Sequence, residues 1–222
     1  MKIRNLITII LCAVLFVSCT AQSGTVQEPD SDNGRTEILK ELQEVPEELL
    51  NAKKGSTRIG LTAILLAWPR GTDEELYSYP DGSPTPNYKK ALDASYPNRK
   101  NWGPGPKSGA CCDVYVGTVV RTAGYASDFP RGWDEQIDYL RTSDKFEQVP
   151  YSGDLSALQS GDIILYKRKS GGKHVLIFVE IDGKPYIAES QYEKYFGYIS
   201  SNTKKIRKYS NKKWIEVYRA TK

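Results

Sequence analysis

Two adjacent cysteines, Cys111 and Cys112, begin an apolar segment and have the clearest capacity for chemistry in the chain. Apolar residues recur behind them at helical spacing as far as Gly124, so the segment predicts a helix, capped by Ser108 or Gly109. Both sulfurs then lie in the first turn, where unpaired N–H groups and the helix dipole favour an anion such as a thiolate. A cysteine in this position is a candidate nucleophile, and it requires a base.

His174 is the single histidine of the chain and therefore the only imidazole that could act as this base. It begins a predicted strand, and Asp182-Gly183 predicts a two-residue hairpin turn after that strand. With such a turn, position 174 pairs with 191 and position 176 with 189. Glu189 then lies diagonally from His174 and Gln191 directly opposite it, on the same face of the sheet. We expect Glu189, or alternatively Gln191, to orient the imidazole.

The first 19 residues have a basic start and a short apolar core that is typical of a secretory signal peptide. Cys19 resembles the lipidated cysteine of a bacterial lipobox, although Phe16 stands where leucine is usual. An ordinary signal peptide cut nearby is the alternative. The residue after Cys19 is Thr20, not the acidic residue that retains lipoproteins in the inner membrane. If the source is Gram-negative, we therefore expect the protein to be anchored at the periplasmic face of the outer membrane. Residues 20–34 are polar and aperiodic, and we interpret them as a flexible tether.

After lipidation at Cys19, the mature chain would retain only Cys111 and Cys112 as thiols. This excludes a disulfide-stapled scaffold, and a disulfide between adjacent cysteines is strained, so catalysis better explains the two thiols. Two adjacent cysteines and one histidine lack the spacing of a tetrahedral metal site, and we expect neither a metal nor a cofactor. A net charge of +4 is too small to suggest nucleic acid as a partner.

The order of predicted elements indicates one α+β domain over residues 35–222, with an N-terminal helical extension. Helices come first and strands of an antiparallel sheet follow. Residues 70–108 are rich in Gly, Pro, Tyr and Asn, and we expect this long loop to build a substrate groove, a passive connection being the alternative. The predicted helices are 36–54 (interrupted near Pro46), 56–67, 88–92, 111–123 and 133–140, and the predicted strands are 163–167, 174–180, 184–189, 195–199 and 214–218.

Three separated pieces of the chain resemble the NlpC-type cell-wall peptidases and the related CHAP amidases. They are Cys112 followed by Tyr115 and Val116, Gly161-Asp162 before a strand, and His174-Val175 at the start of the next strand. The resemblance covers about residues 105–191. It selects Cys112 over Cys111, because Tyr115 and Val116 then stand three and four residues after the cysteine, where these families have an aromatic and an aliphatic residue.

The chain departs from the family pattern beside the nucleophile. Cys111 replaces an acidic residue that is common there, and Asp113 stands where a small residue is usual. A carboxylate next to the thiol disfavours the thiolate unless it points away. Glu189, the residue expected to orient the imidazole, is more similar to the glutamate of the CHAP amidases than to the polar residue of the NlpC-type peptidases. The resemblance therefore does not select one of the two subfamilies.

The resemblance implies a papain-like α+β fold in which the nucleophile helix packs on the C-terminal antiparallel sheet. It also implies a cysteine peptidase or amidase that cleaves amide bonds in peptidoglycan stem peptides, with Cys112 as nucleophile, His174 as base and Glu189 as orienting residue. We expect a monomer that contacts the membrane through its lipid only. The alternatives are a non-catalytic envelope-binding lipoprotein on the same fold and a thiol acyltransferase.

The C-terminal part carries a run of basic residues that we interpret as a solvated strand edge without a function. These residues are Lys204, Lys205, Arg207, Lys208, Lys212 and Lys213.

Overall fold

The computed structural model describes residues 38, 41–68, 84–99, 111–191, 195–207 and 212–221. The expected signal peptide, lipidated Cys19, the tether 20–34 and most of the loop 70–108 lie outside the described residues. No helix in the described segments is both long and apolar enough to cross a bilayer.

The described chain forms five α-helices and six strands, which confirms the α+β class. The helices are α1 (Glu47–Asn51), α2 (Ser56–Leu66), α3 (Pro86–Ser95), α4 (Cys112–Thr122) and α5 (Trp133–Thr142). The strands are β1 (Phe146–Val149), β2 (Ile163–Arg168), β3 (Lys173–Ile181), β4 (Lys184–Gln191), β5 (Tyr195–Ser200) and β6 (Lys212–Ala220).

The strands form one sheet in the order β1-β6-β2-β3-β4-β5, and every neighbouring pair is antiparallel. After the edge strand β5, the chain crosses back and β6 pairs between β1 and β2. The sequence predicted neither β1 nor this position of β6.

Both faces of the central strands are buried, which explains their almost continuous apolar sequences. On one face, Ile163, Val175 and Ile177 join the main core together with residues of α2, α4 and α5. On the other face, Ile164 and Leu176 belong to a second, smaller core. The sheet is therefore a rigid support for any side chain at its margin.

The turn between β3 and β4 has the predicted geometry. Asp182 and Gly183 have φ values of +52° and +70°, as a type I′ hairpin turn requires. Ile181 pairs with Lys184 and Ile177 with Ala188, which confirms the register expected from the sequence.

Helix α4 is held in place by contacts that Tyr115 makes on its buried side. The Tyr115 hydroxyl donates a hydrogen bond of 2.7 Å to the Ala63 carbonyl oxygen on α2. Gly197 on β5 lies so close that a Cβ there would be 2.8 Å from the Tyr115 ring. The helix begins at Cys112, and its cap is Cys111 rather than Ser108 or Gly109. These contacts hold the first turn of α4 in a defined position.

Candidate functional site

The hairpin register brings His174 and Glu189 into direct contact. His174 Nε2 lies 2.7 Å from Glu189 Oε2, and the Glu189 side chain is only 1% exposed. Gln191, the alternative orienting residue, is exposed and pairs with Tyr195 beyond a register shift in β4. The structure therefore favours Glu189 over Gln191 as the partner of the imidazole.

The other side of the imidazole meets the start of α4. The Cys112 side chain lies close enough to the His174 ring for its hydrogen bonding and charge to raise the pKa of the imidazole. Glu189 occupies Nε2, which leaves Nδ1 as the ring nitrogen that can pair with the sulfur. The sequence predicted that this cysteine and this histidine meet, and the structure brings them together through the packing of α4 against β3.

Two aromatic residues hold the backbone and ring of His174. Trp133 Nε1 on α5 donates a hydrogen bond of 3.0 Å to the His174 carbonyl oxygen. The Tyr166 ring on β2 lies 5.4 Å from the imidazole, centroid to centroid, because Tyr166 and His174 are direct partners across the two strands. The imidazole is therefore positioned from three elements before any substrate binds.

The electrostatics of the site favour a protonated His174. Burial alone would lower its pKa, but the hydrogen bonds to Cys112 and Glu189, together with the charges of those two groups, outweigh burial and raise it to about 9. At neutral pH the imidazole is therefore a cation between two acidic groups. An imidazolium beside a cysteine at a helix N-terminus is the setting in which a thiolate is stable.

The Glu189 carboxylate is held by more partners than the sequence indicated. The Tyr198 hydroxyl donates a hydrogen bond of 2.8 Å to Oε1, and the Lys205 ammonium group donates to the same oxygen. Burial raises the pKa of Glu189, but the hydrogen bond and charge of His174 and the charge of Lys205 lower it to about 2. The carboxylate is therefore an anion at neutral pH.

The Asp113 carboxylate, which could disfavour a thiolate at Cys112, is bound by a group on another element. Asp113 Oδ2 accepts a hydrogen bond of 3.1 Å from the Gly132 N–H, and the Asp113 carbonyl oxygen accepts one of 2.7 Å from Gln136 Nε2. The carboxylate is thus engaged at the start of α5. Cys111 and Cys112 are both partly exposed and form no disulfide.

The interpretation of the basic tail as a solvated strand edge is wrong for two of its members. Lys205 donates to buried Glu189, as described above, and the Lys212 ammonium group lies 4.0 Å from the centroid of the Tyr166 ring. Burial of Lys212 and the charges of Arg168 and Lys205 lower the pKa of Lys212. Two cations, Lys212 and Arg168, therefore lie over the Tyr166 ring, which contacts His174.

Comparisons with known proteins provide no relative: no family model, curated protein or solved structure matches the chain. Within the described segments, no group of three or more His, Cys, Asp or Glu residues is arranged to hold a metal ion. The chemistry that the described residues do support is nucleophilic attack by a thiolate with an imidazolium as proton donor.

Proposed function

We propose that the protein is a cysteine hydrolase that cleaves amide bonds by a Cys112–His174–Glu189 triad. One observation carries the proposal: the His174 ring interacts both with Cys112, at a helix N-terminus, and with the buried Glu189 carboxylate, which Nε2 contacts. A buried histidine with a purely structural role has no need of both partners.

In the first half of the reaction, the Cys112 thiolate attacks the amide carbonyl carbon and forms a tetrahedral oxyanion. The N–H of Cys112, in the first turn of α4, is available to stabilise that oxyanion. His174 then gives its Nδ1 proton to the leaving amine, and the carbon–nitrogen bond breaks to leave a thioester on Cys112.

In the second half, neutral His174 accepts a proton from water while the water oxygen attacks the thioester carbon. The carbon–sulfur bond breaks, a carboxylic acid is released, and the thiolate–imidazolium pair is restored. Glu189 holds the Nε2 proton throughout, so that the Nδ1 lone pair points toward the sulfur and the incoming water.

The substrate class comes from the motif resemblance, and the fold is compatible with it. A helix bearing the nucleophile packs on an antiparallel sheet bearing the base, as expected for a papain-like hydrolase. We propose amide bonds of peptidoglycan stem peptides as the substrate, and a lipid at Cys19 as the anchor that holds the enzyme at the cell envelope.

The test is digestion of purified peptidoglycan followed by mass spectrometry of the released fragments. We expect fragments that identify one cleaved amide bond, their loss in Cys112→Ala and their survival in Cys111→Ala. Hydrolysis that persists in Cys112→Ala and disappears in Cys111→Ala would contradict the assignment of the nucleophile. Binding of wall fragments without any release would instead favour the non-catalytic alternative, and transfer of an acyl group to an amine or a lipid the acyltransferase.

A further inference from the structure

The Glu189 carboxylate has a second cationic partner besides His174. Lys205 lies on a short 3-10 helix, Thr203–Lys205, that follows β5. Its ammonium group donates to Glu189 Oε1, and the lysine side chain is only 25% exposed. The two oxygens of Glu189 thus face opposite cations, with Oε2 toward His174 and Oε1 toward Lys205.

The geometry of these contacts fixes the orientation of the carboxylate. Tyr198 and Lys205 both donate to Oε1, and the ammonium group lies 3.5 Å from the Tyr198 hydroxyl and 5.9 Å from the centroid of its ring. With Oε1 saturated, Oε2 is left to accept from His174 Nε2. Rotation of the carboxylate would break three contacts at once.

Lys205 also matters for the proton that His174 carries. When His174 gives up its proton in the proposed reaction, Glu189 loses a cationic partner while it remains buried. An uncompensated buried carboxylate is costly, so on its own it would bind the imidazole proton more tightly. Lys205 is a lasting counter-charge that reduces this effect.

We propose that Lys205 is a positioning residue: its ammonium group orients the Glu189 carboxylate toward His174 and weakens the hold of that carboxylate on the imidazole proton. This role rests on the proposed function, since it makes the imidazolium a better proton donor to a leaving amine. Lys205 itself contacts neither the sulfur nor the reacting bond.

Several other groups act on the same pair and must stay unchanged in a test. The titratable groups that face His174 and Glu189 come from α4, β2, β5 and the 3-10 helix, with a more distant cation from β6. They are Cys112, Tyr115, Tyr166, Tyr198, Lys205 and Lys212.

The single histidine of the chain makes a direct measurement possible, because the imidazole signals in a nitrogen-15 NMR spectrum belong to His174 alone. The titration of His174 is compared in the wild type, Lys205→Met, Lys205→Arg and the matched control Lys204→Met. Lys204 is exposed on the same 3-10 helix.

We expect Lys205→Met to raise the pKa of His174 by roughly one pH unit, as removal of a nearby positive charge requires. Lys205→Arg and Lys204→Met are expected to titrate like the wild type. A merely structural role predicts the opposite sign, since loosening of the site would admit water and bring the pKa from about 9 back toward 6.5.

Lys205→Gln provides a second variant, because its amide can still donate to Glu189 but carries no charge, and it is expected to raise the pKa as well. An unchanged or lowered value in Lys205→Met or Lys205→Gln would overturn the proposal. Failure of both variants to fold while Lys205→Arg folds would also overturn it, because Lys205 would then serve stability.

The experiment separates this inference from the proposed hydrolysis, because the NMR titration needs no substrate. With peptidoglycan as substrate, Lys205→Met is further expected to lower kcat by about tenfold with KM unchanged, as a proton held about 1.4 kcal/mol more tightly would do. Hydrolysis by the wild type without the NMR shift would refute the role of Lys205 alone. The NMR shift without any hydrolysis would refute the proposed function alone.

Discussion

Replacement of Glu189 by glutamine tests whether the carboxylate controls the charge state of the site. The pKa of His174 rises from its ordinary 6.5 to about 9, which corresponds to about 3 kcal/mol in favour of the imidazolium. Glu189 contributes both a hydrogen bond and a charge to this rise, so Glu189→Gln is expected to lower the pKa of His174 toward 6.5. Each pH unit by which the pKa of His174 falls makes proton transfer from the Cys112 thiol to the imidazole about tenfold less favourable.

The assay is the rate of alkylation of Cys112 by iodoacetamide at pH 6.5, the ordinary pKa of histidine. It is carried out in a Cys111→Ala background, so that only one thiol near the site reacts. We expect Glu189→Gln to react more slowly than the parent, by up to about tenfold for each pH unit by which the pKa of His174 falls. Lys205 would then lack its anion, and its remaining charge would disfavour the imidazolium further.

The matched control is Glu180→Gln, which removes an exposed glutamate from the strand that carries His174. This variant is expected to react like the parent. An alkylation rate in folded Glu189→Gln that equals the rate in Glu180→Gln would refute the reasoning, because the carboxylate would then have no influence on the sulfur.

Two further predictions concern stability. The free energy of unfolding should be highest between pH 4.5 and 6.5. Above this range it falls because His174, whose folded pKa is about 9, loses its proton. Below this range it falls because Glu189, whose folded pKa is about 2, gains a proton. Urea titrations across pH check this, and a maximum above pH 9 would contradict it. Gly197→Ala should lower the free energy of unfolding by about 1–3 kcal/mol, since the added Cβ would lie 2.8 Å from the Tyr115 ring and φ is +44°. Thermal melts compare this variant with the control Gly172→Ala, whose added Cβ would lie 3.8 Å from its nearest neighbour, an ordinary contact. Equal melting temperatures of the two variants would show that Gly197 is not needed for close packing.

The sequence was sufficient to predict the site wherever the determinants are local. The period of apolar residues located α4, and the Asp182-Gly183 turn set a register that put Glu189 beside His174. Of the two residues expected on that face, Glu189 contacts His174, whereas Gln191 lies beyond a register shift in β4 that the sequence did not indicate.

The rest could not be predicted, because it depends on contacts between distant segments. Lys205 stands in an aperiodic basic stretch, and nothing local indicates that it reaches a carboxylate on β4. The insertion of β6 between β1 and β2 is likewise fixed by pairing across the whole domain. The cap of α2 is Gly55, and Ser56 accepts a hydrogen bond from the distant Ala220 N–H.

The central claim is that the sulfur of Cys112, rather than its neighbour, reacts through His174. The most direct measurement follows the loss of peptidoglycan hydrolysis during alkylation of the wild-type protein, while mass mapping reports the labelled fraction of each adjacent cysteine. The account predicts that activity falls in proportion to labelling of Cys112 and that Cys111 reacts more slowly. Activity that survives complete labelling of Cys112, or that falls with labelling of Cys111 instead, would contradict it.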